Sequence, residues 1–166
     1  MKLLSLDVSV NNVGWATFDS EKKGKEQWSW GTWALEGFNY DMRLSDLKDR
    51  IIEEGHSDMD HLIVEWPMFF QSTKGMIAAH NNYTIDLAGV CMYIAGWFQL
   101  NHRHYHRITA SKWKGQVPKA ITARKFFRHF GIPLGQVSEH AIDATMMLKF
   151  FIENHLLLDL TISDEP

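Results

Sequence analysis

Apolar positions in the first third of the chain either alternate or run together in short blocks. Leu3–Val8 and Val13–Asp19 read as two strands joined by the turn formers Ser9, Asn11 and Asn12. The polar run 20–25 predicts a hairpin loop into a third strand, Gln27–Leu35, where Trp28, Trp30 and Thr32 alternate with small or polar residues. Three strands linked by short turns predict an antiparallel meander. The period then changes. Met42, Leu44, Leu47, Ile51 and Ile52 recur at helical spacing, which predicts a helix over Asp41–Glu54 stopped by Gly55. His61–Trp66 is a short apolar strand closed by Pro67. Lys74–Leu100 reads as a long helix with Ile77, Thr84, Leu87, Cys91, Ile94 and Phe98 on one face. Val90, Met92, Tyr93 and Trp97 add apolar surface on its other faces. That suits either a central helix covered on both sides or a homodimer seam. His102–Ile108 predicts the last strand, Pro118 to Gly131 a helix, and Ser138 the cap of a final helix to about Asn154. The order predicts an α/β fold, a mixed five-stranded sheet flanked by helices, with no internal repeat or linker.

At 166 residues the chain fits a single domain, 1–166, with about 155–166 as a C-terminal tail. One cysteine, Cys91, excludes an internal disulfide framework and fits a reducing, cytoplasmic setting. No Cys or His stands at catalytic spacing from it, so a core thiol is expected. The N-terminus lacks a signal-peptide pattern and no apolar run reaches the length of a membrane span. The net charge of −3 does not suggest a nucleic-acid partner, but the distribution changes that picture. Between His102 and His129 lie Arg103, Arg107, Lys112, Lys114, Lys119, Arg124, Lys125 and Arg128, with no acid among them. Such a segment is either a solvated basic face or a local positive surface for nucleic acid.

Asp7 and Glu65 stand out among the acids because each ends an apolar strand, LLSLD and LIVE. An ionised carboxylate there is costly unless it is paired, hydrogen-bonded or bound to metal. In SEHAIDATMM, His140 and Asp143 are three residues apart and share one helix face near its N-terminus. Each of the four has an ordinary explanation taken singly: a strand end, a lysine pair, first-turn residues of a helix. Together, from two strands and a helix, they form an O/N ligand set suited to Mg²⁺ or Mn²⁺. Two such ions activate water and stabilise a leaving oxygen in phosphodiester hydrolysis.

The three motifs resemble those of RuvC-type Holliday junction resolvases. LLSLDVSVNNVGWATFD is similar to the family's opening, with a strand-end Asp, a small polar turn and a Gly at the start of strand two. LIVEWPMFF is similar to its second motif, and HAIDATMM to its closing acidic helix. The order is the family's, and the resemblance spans Met1 to about Asn154. Sugar kinases and actin-like ATPases open similarly, but they require a second domain that this length does not accommodate.

The resemblance implies a ribonuclease H-like fold, a homodimer, a branched-DNA (four-way junction) substrate, and a centre of Asp7, Glu65, His140 and Asp143 holding two Mg²⁺ or Mn²⁺ ions. His140 stands where the commoner pattern has Asp, and Glu139 is a rival ligand. The resemblance also gives the basic segment SKWKGQVPK a task. Lys112 and Lys119 are expected to stabilise charge on the phosphorane, Lys114 and Arg124 to contact the DNA backbone. Met68, Phe69 and Phe70 follow the Glu65 strand, where they either pack or unstack bases at a junction. His102, His104 and His106 alternate along the last strand and are expected to share an exposed or DNA-facing edge. The rival functions are a related nuclease acting on flaps or RNA–DNA hybrids, and a junction-binding dimer without catalysis.

Overall fold

Five strands form one sheet in the order β3-β2-β1-β4-β5 in the computed structural model, which describes residues 1–68, 83–133 and 135–156. β1 (Lys2–Val8), β2 (Asn12–Asp19) and β3 (Trp28–Ala34) make the expected antiparallel meander. β4 (His61–Trp66) pairs parallel with β1, and β5 (His104–Thr109) parallel with β4. The helices are α1 (Tyr40–Glu53), α2 (Tyr83–Leu100), α3 (Ala110–Trp113), α4 (Lys119–Phe130) and α5 (Glu139–Phe151). Among the described residues, no helix is long and apolar enough to cross a membrane.

β1 and β4 read as apolar runs because both are central and covered on both faces. Leu4, Leu6, Leu62 and Val64 point to one side, where they meet Leu47 and Ile51 of α1 and Val90, Cys91, Ile94 and Phe98 of α2. Leu3 and Ile63 point to the other, with Ile108 against Ala144, Met147, Leu148 and Phe151 of α5. The tryptophans divide the same way. Trp15 stacks on Trp33 beside α1, whereas Trp28 and Trp30 meet Phe130 and Phe126 of α4. Cys91 is fully buried, as a core thiol should be.

Several bounds differ from expectation for local reasons. His102 has a φ of 57°, in the left-handed region, so it belongs to the turn after α2 and the last strand starts only at His104. His104 and His106 therefore share their face with His61 across the β4–β5 ladder, not with His102. The rings of His104 and His106 stack on that of His61, and His106 also packs on Phe151. Burial, helped by His61 and His104, holds His106 down at about 4. The final helix ends at Phe151 and continues as a single π-helical stretch, Ile152–Leu156. The four-residue α3 was not expected. Residues 69–82, with Ile77, Phe69 and Phe70, lie outside the described residues, as does the tail from 157.

Candidate active site

Side-chain alternation sends odd-numbered residues of β1 and β4 to the α5 side of the sheet. Leu3 and Ile63 pack there, so Asp7 and Glu65 face the same side farther along their strands. β1, β4 and β5 are parallel, and their C-terminal ends form one rim, the usual place for ligand sites in such sheets. α5 brings its N-terminus to this rim. Ser138 caps it, accepting from the Ala141 amide at 3.1 Å, and its hydroxyl also hydrogen-bonds to Thr32 of β3. Gly14, opposite Asp7 in the ladder, makes the approach possible. A Cβ at that position would collide with the backbone carbonyl of His140 and lie 2.7 Å from the Ala141 nitrogen.

The geometry joins all four candidate side chains into one charged cluster. His140 Nδ1 lies 2.7 Å from Asp7 Oδ2, and Asp7 is only 14% exposed. That hydrogen bond raises the imidazole's pKa against the opposing effect of burial. Lys114 Nζ donates to Asp143 Oδ2 at 2.6 Å. Burial pushes the Asp143 carboxyl up, although Lys114 pulls the other way. Glu65 is pushed up to about 7, first by burial and then by the charge of Asp7, while accepting from Trp113 Nε1 at 2.9 Å. Behind them the Cys91 thiol, raised to about 12 by burial, donates to the Glu65 carbonyl at 3.7 Å. It is no nucleophile at neutral pH.

Three carboxylates with two nearby cations are a donor set that fits a hard divalent ion, which would relieve the repulsion raising Glu65. As oriented here, Asp7 is turned to His140 and Asp143 to Lys114. Among the described residues, no group of three or more His, Cys, Asp or Glu side chains converges tightly enough to hold an ion in this arrangement.

The basic residues fall differently from expectation. Lys114 touches the centre directly, whereas Lys112 and Arg124 are exposed on α3 and α4. Lys119 reaches Glu139 at 2.7 Å in an exposed pair, and the two line a small pocket together with Asp143. Met68 is exposed, and its sulfur accepts from the Ser111 hydroxyl at 3.3 Å. Trp113 and the direct contact of Lys114 were not anticipated. The signal lies in strand order, because Glu65 is paired with Ile108 and the chain leaving β5 emerges beside it.

The fold is shared with known junction enzymes. Thermus thermophilus RuvC in complex with Holliday junction substrate matches with a TM-score of 0.66 and 11% identity, over 93% of this chain and 97% of that one. A second Thermus thermophilus RuvC structure gives 0.54 and 15% identity, over 92% of this chain and 96% of that one. The yeast mitochondrial Holliday junction resolvase gives 0.59 and 9% identity, over 90% and 78%. No protein-family profile and no curated protein matches the sequence. At these identities the likeness is one of fold: the mixed five-stranded sheet and flanking helices are those of RuvC-type, ribonuclease H-like structures.

Proposed function

We propose that the chain is a metal-dependent, structure-selective endonuclease that resolves four-way DNA junctions, acting as a homodimer that nicks two strands of like polarity. One observation carries this reading: Asp7, Glu65, His140 and Asp143, up to 136 positions apart in sequence, meet at one rim of a RuvC-like sheet. One structure sharing the fold is that of RuvC bound to a Holliday junction, which favours branched DNA over other phosphodiesters.

These four residues would hold Mg²⁺ or Mn²⁺, two ions per centre. Bound there, such ions supply an acidified water and offset charge on the attacking and leaving oxygens. The chain's own groups do the rest. Trp113, through its 2.9 Å hydrogen bond, fixes the Glu65 carboxylate in orientation. Lys114 neutralises Asp143 until substrate arrives and then lies within reach of a phosphate oxygen. Lys119, close enough for its charge to act with those of Asp143 and Asp7, would exchange Glu139 for phosphate, Lys112 would add a further cation, and Arg124 would contact the backbone farther out. Phe69 and Phe70 would unstack bases at the junction. The water oxygen joins phosphorus in line while the bond to the 3′ oxygen breaks. The proton ends on that oxygen, leaving a 3′-hydroxyl and a 5′-phosphate.

Purified protein with Mg²⁺ or Mn²⁺ should place symmetrical nicks in a synthetic four-way junction. Asp7→Asn should still bind the junction but cut it at least ~100-fold more slowly, since losing even an outer partner of a metal site costs up to that much. Preference for flaps or RNA–DNA hybrids would make it a related nuclease with another substrate. Binding without cutting in either metal would leave a junction-binding protein.

A further inference from the structure

Beyond the carboxylates, α3, α4 and α5 enclose a half-open cleft of about 420 Å³, within the range of about 300–1,000 Å³ usual for ligand sites. Two large aromatic side chains line it: Trp113, the last residue of α3, and Phe150 on α5. Four cations line it too: Lys114, Lys125, Arg128 and Lys149. Lys114 is paired with Asp143 and Lys149 with Glu153, which leaves Lys125 and Arg128 without an acidic partner among the described residues. Both are exposed on α4 and line the cleft. The cleft is also joined to the centre. Trp113 and Lys114 line it while hydrogen-bonding Glu65 and Asp143 respectively.

We infer that this cleft is a subsite for unpaired DNA, taking the phosphates on Lys125 and Arg128 and a base against Trp113 and Phe150. Shape and chemistry both favour a single strand. A duplex offers a convex cylinder of phosphates with its bases stacked inside, and it makes no use of aromatic side chains in a concavity. An unpaired nucleotide uses both, through stacking and backbone charge, which is the sequence-tolerant mode of single-strand binding. An acidic peptide would satisfy the cations but make no use of the rings. That the strand continues from the cleft into the carboxylate centre rests on the nuclease reading; binding in the cleft does not. A phosphate drawn to Lys114 competes with Asp143 for its ammonium. Occupancy of the cleft thereby loosens the ion pair that closes the centre.

The test is fluorescence anisotropy of labelled (dT)12 with the full chain in EDTA, so that no cleavage intervenes. The Lys125→Ala/Arg128→Ala double variant should weaken binding about tenfold at low salt. It should also reduce the slope of log K against log salt by about 1.4, at roughly 0.7 per single-strand phosphate contact. Both positions are exposed and helical, so an unchanged melting temperature certifies the fold. An abasic 12-mer of the same length should bind the wild type at least ~5-fold more weakly, the lower bound for losing one stacked base. An unchanged salt slope in the double variant overturns the site. Equal binding of abasic and thymidine oligomers overturns the base pocket and reduces the cleft to a polyanion surface. If the protein never cuts junctions yet shows these differences, the nuclease reading falls and the subsite stands. If it cuts and the slope is unchanged, the reverse holds.

Discussion

At the scale of single residues, Glu65 carries the sharpest conflict between burial and charge. Its carboxyl is held at about 7 rather than the ordinary 4.5, because burial and then the charge of Asp7 disfavour ionisation more than the Trp113 hydrogen bond favours it. The folded state therefore holds the Glu65 proton more tightly than the unfolded chain does. Between pH 4.5 and 7 this group's contribution to stability falls as pH rises, and above 7 the full cost of the buried charge is present. Glu65→Gln keeps the shape and an oxygen that accepts from Trp113, and it removes the charge. In EDTA at pH 8 the variant should melt roughly 3–6 °C above wild type, and the two should converge near pH 4.5. Addition of Mg²⁺ or Mn²⁺ should stabilise the wild type and not the variant. Differential scanning fluorimetry across that pH range reads both effects. A variant that melts lower than wild type in EDTA at pH 8 would mean that a partner already compensates the carboxylate.

At the scale of elements, the site depends on how closely the N-terminus of α5 approaches β2. Gly14→Ala puts a methyl group into the His140 carbonyl, so α5 has to retreat and the 2.7 Å His140–Asp7 contact opens. The expected cost is about 1–3 kcal/mol, the usual range for overpacking, with junction nicking lost beyond what the lower melting point explains. The same elements show which features the sequence made legible. β1 and β4 were readable because strands covered on both faces need unbroken apolar runs, and an acid ending such a run is conspicuous. His140 and Asp143 were readable from helical spacing and the Ser138 cap. The four-residue α3 is too short to have a period. Which lysine reaches Asp143 depends on where α3 leaves β5, a property of strand order that no local pattern carries. For the same reason alternation alone placed His102 on β5, while the left-handed turn at that residue removes it.

At the scale of the whole molecule, the question is what covers the outer face of α2. Val90, Cys91, Ile94 and Phe98 bury one side of this helix against the sheet. On the other side Ile85 is 56% exposed, Met92 63% and Leu100 82%, with Tyr93 beside them. These positions follow helical spacing, and Gly96 lies within the same stripe with open space around it. An exposed apolar face with a small residue beside Met92 suits close packing of a second helix, and a two-fold axis would supply the same face from another copy. Paired nicking needs two centres, so the dimer and the proposed function stand together. Sedimentation at micromolar concentration should give a dimer, and Met92→Glu should give a folded monomer, since this side chain is not part of the core. The variant's centre is intact, so it should still nick junction strands, but one at a time. In a cruciform plasmid assay that means nicked circles accumulate before any linear product, where wild type gives linear product directly. A wild-type monomer that nevertheless makes both cuts in one encounter would remove α2 from the account and require a different second centre.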